Sequence, residues 1–546
     1  MISEKCRMLN LVAGALPRMN SPFLPDWVFA HAERRPESPA LATPAVRLSY
    51  ADLAARVRAL AGHLTRSGVR PGDRILVALP NVPATVVASL AVQALGGTAL
   101  EVNRKWEAEI LAGIAAQGGA RQAIIWGQDA LTWGAVHAIQ PLERIWVVHG
   151  SLPESLTSAL GGAPAMLLLE DGRVDPRLGV TPMPPSAPLR PESPALILYT
   201  SGSTGRPRGV IQTFRNIDAN TRSIVQCLGL GADDRALLVL PLYYCYGRSV
   251  LQTHLFAGGS VFFDPRTAFP RIVMETLASE GCTGLAGVPL TFEIIRRAVD
   301  LSTLSFPRLR YLTQAGGPMS AETIAWVRRA FHPAKLFVMY GQTEATARLS
   351  YLPPARADDK AGSIGIPIPG VELRVVDDLG QELPTEEEGH LVARGENVTR
   401  GYLDEPEETA AILRDGWLWT GDLAYRDADG FFFHRGRAKE ILKIGGHRVS
   451  PVEIEQIVMR HPDVADAAVI GLKQDLMGEV PAALVVVREG RRLVVADVQR
   501  FCREHLPAFK VPASVIFVEA LPRNEAGKLL RTELAARYGG VVVERP

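Results

Sequence analysis

This sequence predicts an α/β body of two sheet-and-helix layers with a small β-rich subdomain, followed by a C-terminal α+β domain. Three observations predict it. Strand and helix signals alternate from residue 49 to about residue 345, the pattern of a mostly parallel sheet with helices on its faces. Between residues 364 and 435 short strands separated by Gly and Asp turns replace that alternation. After Arg437 the order becomes helix, strand, strand, helix, strand. With 546 residues the chain exceeds one ordinary core; at roughly 150 residues per domain it holds about three or four domains or subdomains.

Residues 49–69 place Ser49 before apolar residues at helical spacing and end at Gly68, which predicts a helix closed by the turn Arg70-Pro71-Gly72-Asp73. A strand over Arg74 to Leu79 and a helix over Pro83 to Ala94 follow, and Gly96-Gly97 leads into a strand over Thr98 to Val102. The longest apolar stretch, Ala84 to Leu100, is interrupted by Gln93, Gly96 and Gly97; it predicts a buried helix and strand rather than a membrane span. Residues 171–194 are rich in Pro and nearly non-periodic, as a surface connection would be. The β-rich subdomain takes its strands at Glu372 to Val376, His390 to Ala393 and Gly430 to His434. The last domain takes helices at Pro451 to Arg460 and Val494 to His505, and strands at Ala465 to Gly471, Ala482 to Arg488 and Ser514 to Val518. The boundary is drawn between a first domain, 1–437, and a second, 438–546.

The 47% hydrophobic and 21% charged content is that of a soluble globular protein. A net charge of +1 gives no bulk attraction to nucleic acid or to an anionic membrane, so neither partner is expected. Five cysteines (Cys6, Cys227, Cys245, Cys282, Cys502) are far apart, odd in number and in no metal spacing; a reducing cytoplasm suits them better than a disulfide framework. The short apolar run Met8 to Leu16 follows early charges and lacks a small-residue cleavage site, so no signal peptide is read.

The chemistry concentrates in a few short stretches. Residues 199–209 read YTSGSTGRPRG and follow the apolar run Pro194 to Leu198. Gly202, Gly205 and Gly209 let the backbone approach a ligand, while successive N–H groups and the hydroxyls of Thr200, Ser201, Ser203 and Thr204 form a cradle of donors. Arg206 and Arg208 add positive charge, which suits a polyphosphate; the alternative is a flexible linker. The spacing does not satisfy the strict P-loop pattern.

The stretch resembles the phosphate loop of the adenylate-forming family, the acyl-CoA synthetases and their relatives, with Arg208 where that family usually has Lys. Four further segments resemble family motifs in the family's order: Tyr340-Gly341-Gln342-Thr343-Glu344, Thr420-Gly421-Asp422, Gly436-Arg437-Ala438-Lys439-Glu440, and Pro522 to Lys528. The resemblance covers residues from about 25 to 535. It implies that Thr343 contacts phosphate, that Glu344 and Thr204 hold Mg²⁺, and that Tyr340 stacks on adenine beside Gly316-Gly317-Pro318. Asp422 would accept hydrogen bonds from ribose and Arg437 would bind ribose or phosphate. Lys528 would be the adenylation lysine, an ammonium close to the charge that spreads over the phosphoryl oxygens. Lys439 would be the hinge of a mobile C-terminal domain. Lys443 counts with the nucleotide-binding residues and shares with Gly445 and Gly446 the face turned to the thiol acceptor. Taken alone, Glu344 reads as a solvated loop acid and Lys528 as a solvated lysine.

Leu240 to Arg248 resembles the segment that opens the acyl pocket, with Tyr244 as gate, Cys245 and Arg248 nearby, and Gln314 completing the lining. The Asp that amino-acid-activating members carry there is missing. Arg248 either pairs with a second anionic group on the substrate, or snorkels to the surface or pairs with a nearby acid. His254 and Met339 read as core residues. The expected activity is an ATP- and Mg²⁺-dependent ligase that joins a small carboxylic acid to a thiol through an acyl-AMP. CoA is the expected acceptor, and a carrier protein acting in trans the alternative. An adenylating enzyme with another acceptor or oxyacid, and a degenerate nucleotide-binding regulator, remain rival readings.

Overall fold

The computed structural model describes residues 21–149, 166–179, 181–183, 189–201, 207–444, 447–474, 478–523 and 529–539. Four sheets organise them. A nine-stranded sheet has, at its centre, the parallel strands Lys335–Tyr340, Tyr311–Gln314, Gly284–Gly287, Arg235–Leu238, Ser260–Phe263 and Pro39–Ala42; antiparallel strands close its edges. A seven-stranded sheet is parallel through Arg144–Val148, Gln122–Trp126, Arg74–Ala78, Thr98–Glu101 and Pro194–Ser201. Its last strand, Pro207–Thr213, runs back antiparallel, with Thr200 opposite Arg208.

These central strands are mostly buried because both faces are covered by helices, which is why they read as apolar runs. The helix Pro83–Ala94 is buried at all its residues, as its unbroken apolar character requires. It belongs to one core shared by both large sheets: Val77, Ala99 and Leu196 of one, and Leu238, Val261 and Ala286 of the other, cluster with the helices Tyr50–Arg66 and Cys245–Ala257. Ser49 caps the former by accepting from the Asp52 amide while Asp52 reciprocates. Two sheets on one core fix their strand ends, and so the side chains that project from them, to each other.

The β-rich subdomain is a five-stranded sheet in which Trp417–Arg426 pairs with both Gly389–Gly395 and Phe432–Arg437. That pairing sets Asp422 directly opposite Arg437. A single turn, Ala438–Glu440, separates it from a second five-stranded sheet that begins at Leu442. In this last sheet Val464–Gln474 pairs along its length with Gly478–Val487, and the helices Pro451–Val458 and Val495–His505 cover one face. Arg531, opening the helix Arg531–Tyr538, binds Glu440 at 2.9 Å and Glu455 at 2.6 Å. No helix among the described residues is long and apolar enough to cross a membrane.

Candidate functional site

Gln314, Tyr340 and the Thr343–Glu344 turn lie at the C-terminal ends of parallel strands, where open α/β sheets bind ligands. Gln314 and Tyr340 end their strands. After Gln314 the chain turns through Gly316, whose φ of +88° favours glycine, to Gly317 and Pro318; Gln314 Nε2 donates to the Gly317 carbonyl at 2.6 Å and steadies the turn.

After Tyr340 the chain folds back on itself. A Cβ on Gly341 would meet the Ala347 carbonyl oxygen at 2.0 Å, so only glycine admits this return, which the Leu349 amide closes on the Tyr340 carbonyl. Three buried amide side chains clamp the turn. Asn220 donates to the Arg348 carbonyl, Asn397 to the carbonyls of Ala345 and Arg348, and Gln212 to that of Thr346. Thr346 holds a φ of +66°, a strain of about 1–3 kcal/mol that these bonds offset at about 1 kcal/mol each. The clamp presents Gln342, Thr343 and Glu344. Glu344 accepts from the Tyr402 hydroxyl at 2.7 Å, and Thr343 Oγ1 lies 3.4 Å from Cys245 Sγ.

Asp422 is 2% exposed. Tyr340 donates to its carboxylate, Arg437 Nε lies at 2.9 Å and His434 Nε2 at 3.3 Å. Burial opposes its ionisation, but the Arg437 guanidinium, His434 and Tyr340 outweigh burial and hold the carboxyl at about 2, against 3.8 ordinarily. It is therefore an anion at neutral pH, able to accept from hydroxyl groups. Since the folded-state value is the lower one, the stabilisation is complete above the unfolded value and fades as pH falls through about 2. It amounts to about 2 kcal/mol. Melting temperatures taken from about pH 5 down to about pH 2 should fall more steeply for the wild type than for Asp422→Asn; parallel curves would refute the coupling.

Arg208 is not free. It sits between Glu405 at 3.4 Å and Glu408 at 2.9 Å, with its guanidinium 5.6 Å from the centre of the Tyr402 ring. Thr200 is half-buried opposite it, and Ser201 ends the strand. Tyr244 precedes the helix Cys245–Ala257 and packs on Tyr243 at 4.7 Å between rings; burial pushes the Cys245 thiol up, so it is neutral. Lys439 lies in the turn Ala438–Glu440, and Lys443 is exposed on the following strand. Gly202, Ser203, Thr204, Gly205, Gly445, Gly446 and Lys528 lie outside the described residues.

One expectation is corrected. Arg248 does not await a substrate anion: it is 1% exposed and pairs at 2.9 Å with Glu101, 2% exposed, while also donating to Ser89. Glu101 ends the strand Thr98–Glu101 and points a charge into the shared core, where only an opposite charge makes it tolerable. The acid that Arg248 could have met on a substrate is thus supplied by the chain.

Glu101, Tyr402, His434 and Arg348 escaped sequence reasoning. The signal for Arg348 was a lone cation in the small-residue run Ala345-Thr346-Ala347 that follows Glu344; for Glu101 it was an acid ending an apolar strand. A Glu344 carboxylate and an ionised Asp422 are hard oxygen donors, fit for Mg²⁺ and for ribose hydroxyls respectively. No group of three or more His, Cys, Asp and Glu able to hold a metal unaided occurs among the described residues.

Comparison with known proteins finds relatives that match along almost the whole chain. The chain is 32% identical over 530 residues to a feruloyl-CoA synthase of an Amycolatopsis species, covering 95% of this chain and 100% of that one. It is 30% identical to a 2-succinylbenzoate–CoA ligase of Geobacillus kaustophilus, covering 94% and 97%. The ATP-bound structure of MatB from Rhodopseudomonas palustris matches with a TM-score of 0.84 at 28% identity, over 95% of this chain and 99% of that one. Residues 28–403 match the AMP-binding enzyme model and residues 453–528 that of the AMP-binding enzyme C-terminal domain, and the chain belongs to this adenylate-forming family.

Proposed function

We propose that the protein is an ATP-dependent carboxylic acid–CoA ligase. The observation that carries this reading is the convergence of an ionised Asp422 and its partner Arg437 on Tyr340, which leads into the clamped Thr343–Glu344 turn. That set provides an acceptor for ribose, a cation for phosphate, and a carboxylate fit for Mg²⁺, which when bound at Glu344 would neutralise phosphate charge. In the first step a carboxylate oxygen of the acid attacks the α-phosphorus of ATP, and the bond to pyrophosphate breaks. In the second, a thiol sulfur attacks the acyl carbonyl, its proton is released, and AMP leaves. Tyr340 and Arg437 orient the nucleotide, Thr343 contacts the phosphate, and Lys528 meets the charge on the phosphoryl oxygens.

The hinge reading places the boundary at 437/438 and turns the last domain about Lys439 between the two steps. Relatives named for feruloyl and 2-succinylbenzoyl transfer to CoA support CoA over a carrier protein. Pyrophosphate release across a panel of acids, repeated with CoA and thioester detection, tests the reading. Acid-dependent release and a thioester are expected. Release without thioester would move the acceptor to a carrier protein, and no release with any acid would favour a nucleotide-binding regulator.

A further inference from the structure

Arg348 is the second cation of the acyl region, and unlike Arg248 it has no counter-charge among the described residues. It is 3% exposed, its Nε has no hydrogen-bond partner, and its electrostatic partners among the described residues are Tyr246 and Cys245. Burial pushes both the Tyr246 phenol and the Cys245 thiol up, so neither is an anion at neutral pH. The Tyr246 ring lies 3.9 Å from the guanidinium carbon. A cation–π contact of that kind recovers only part of the cost of removing the charge from water. A guanidinium keeps its proton even so. Among the described residues this buried positive charge is therefore not neutralised.

Its place decides what would neutralise it. Cys245 joins the two ends of the site: its sulfur is 3.4 Å from Thr343 Oγ1, and Arg348 acts on it electrostatically. On its other side Arg348 lines a narrow cavity with Ala286, Thr313, Met339 and His254. The cavity runs along the sheet from Ala286 and Thr313 back to Gly284 and Tyr311, which begin their strands. It has room for about one water molecule. His254 offers no anion: its Nδ1–H donates to the Val250 carbonyl and its Nε2 accepts from the Tyr311 hydroxyl at 2.8 Å.

Resting on the ligase reading above, we propose that Arg348 selects a short acid carrying a second anionic group. The second group, a carboxylate or sulfonate, pairs with the guanidinium while the reacting carboxylate lies at Thr343. Proximity of Arg348 to the reacting end and the lack of room beyond it both set the short length. An uncharged acid of the same shape would leave the guanidinium buried and unpaired, and would be disfavoured for that reason.

The test compares kcat/KM for acid-dependent pyrophosphate release with short dicarboxylates and sulfocarboxylates, each beside its uncharged monoamide or methyl analogue. The wild type is expected to prefer the dianion by 100-fold or more, on the order of the discrimination a buried polar site exerts. Arg348→Met should erase that preference, and Arg348→Lys should restore part of it. The preference is a ratio within one protein, so a loss of folded enzyme cancels. Equal losses for dianion and neutral analogue in Arg348→Met would overturn the inference, since the guanidinium would then serve the reacting carboxylate or the fold. A wild type that prefers neutral acids would overturn it too and leave the ligase standing. A wild type that releases no pyrophosphate with any acid would remove the ligase reading as well.

Discussion

Lys528→Ala should lose about three orders of magnitude in acid-dependent pyrophosphate release, the scale on which removal of a preorganised transition-state charge acts. The ammonium is expected to act where negative charge grows on the phosphoryl oxygens, and two other cations of the nucleotide site are already engaged with acids. Arg437 is tied to Asp422 at 2.9 Å and Arg208 lies between Glu405 and Glu408. The loss should be confined to the first half-reaction. Given a synthetic acyl adenylate and CoA, the variant should make thioester within a few-fold of the wild-type rate, because that step breaks no bond at phosphorus through which Lys528 acts. Full-speed adenylation by Lys528→Ala would refute the assignment, as would equal damage to both halves.

Arg248→Met should destabilise the fold by about 3–5 kcal/mol, because it strands the Glu101 carboxylate in a dry core. Glu101→Gln should cost a similar amount for the converse reason. The double variant Glu101→Leu with Arg248→Met removes both charges and should come back to within about 1–2 kcal/mol of the wild type, since a buried ion pair often does no better than an apolar pair of similar volume. Urea denaturation of the three variants measures the recovery. The pair would lose its structural role if Arg248→Met kept wild-type stability while changing which acids are used.

These two arginines show where sequence reasoning reached and where it stopped. The helix Pro83–Ala94 was legible with its bounds, because Pro opens it and Gly-Gly follows its end, and local rules decide both. Tyr340, Asp422 and Arg437 were legible because each stands in a short motif of fixed spacing. That Asp422 and Arg437 face each other across a strand pair is a fact of register that spacing does not carry. Arg248 and Glu101 meet only because the two large sheets close on one core, and a pairing between a strand and a distant helix leaves no trace in either local stretch. Arg348 passed unremarked because a lone cation among small residues reads as surface; its burial depends on Asn220 and Asn397 drawing that turn inward.

The grip of Arg531 on Glu440 and Glu455 has a mechanical meaning. Glu440 adjoins Lys439, the pivot proposed above, Glu455 stands on the first helix beyond it, and Arg531 opens the last described helix. If the last domain turns about Lys439, all three partners would turn with it, and the joint would pass that rotation to the helix Arg531–Tyr538 without slack.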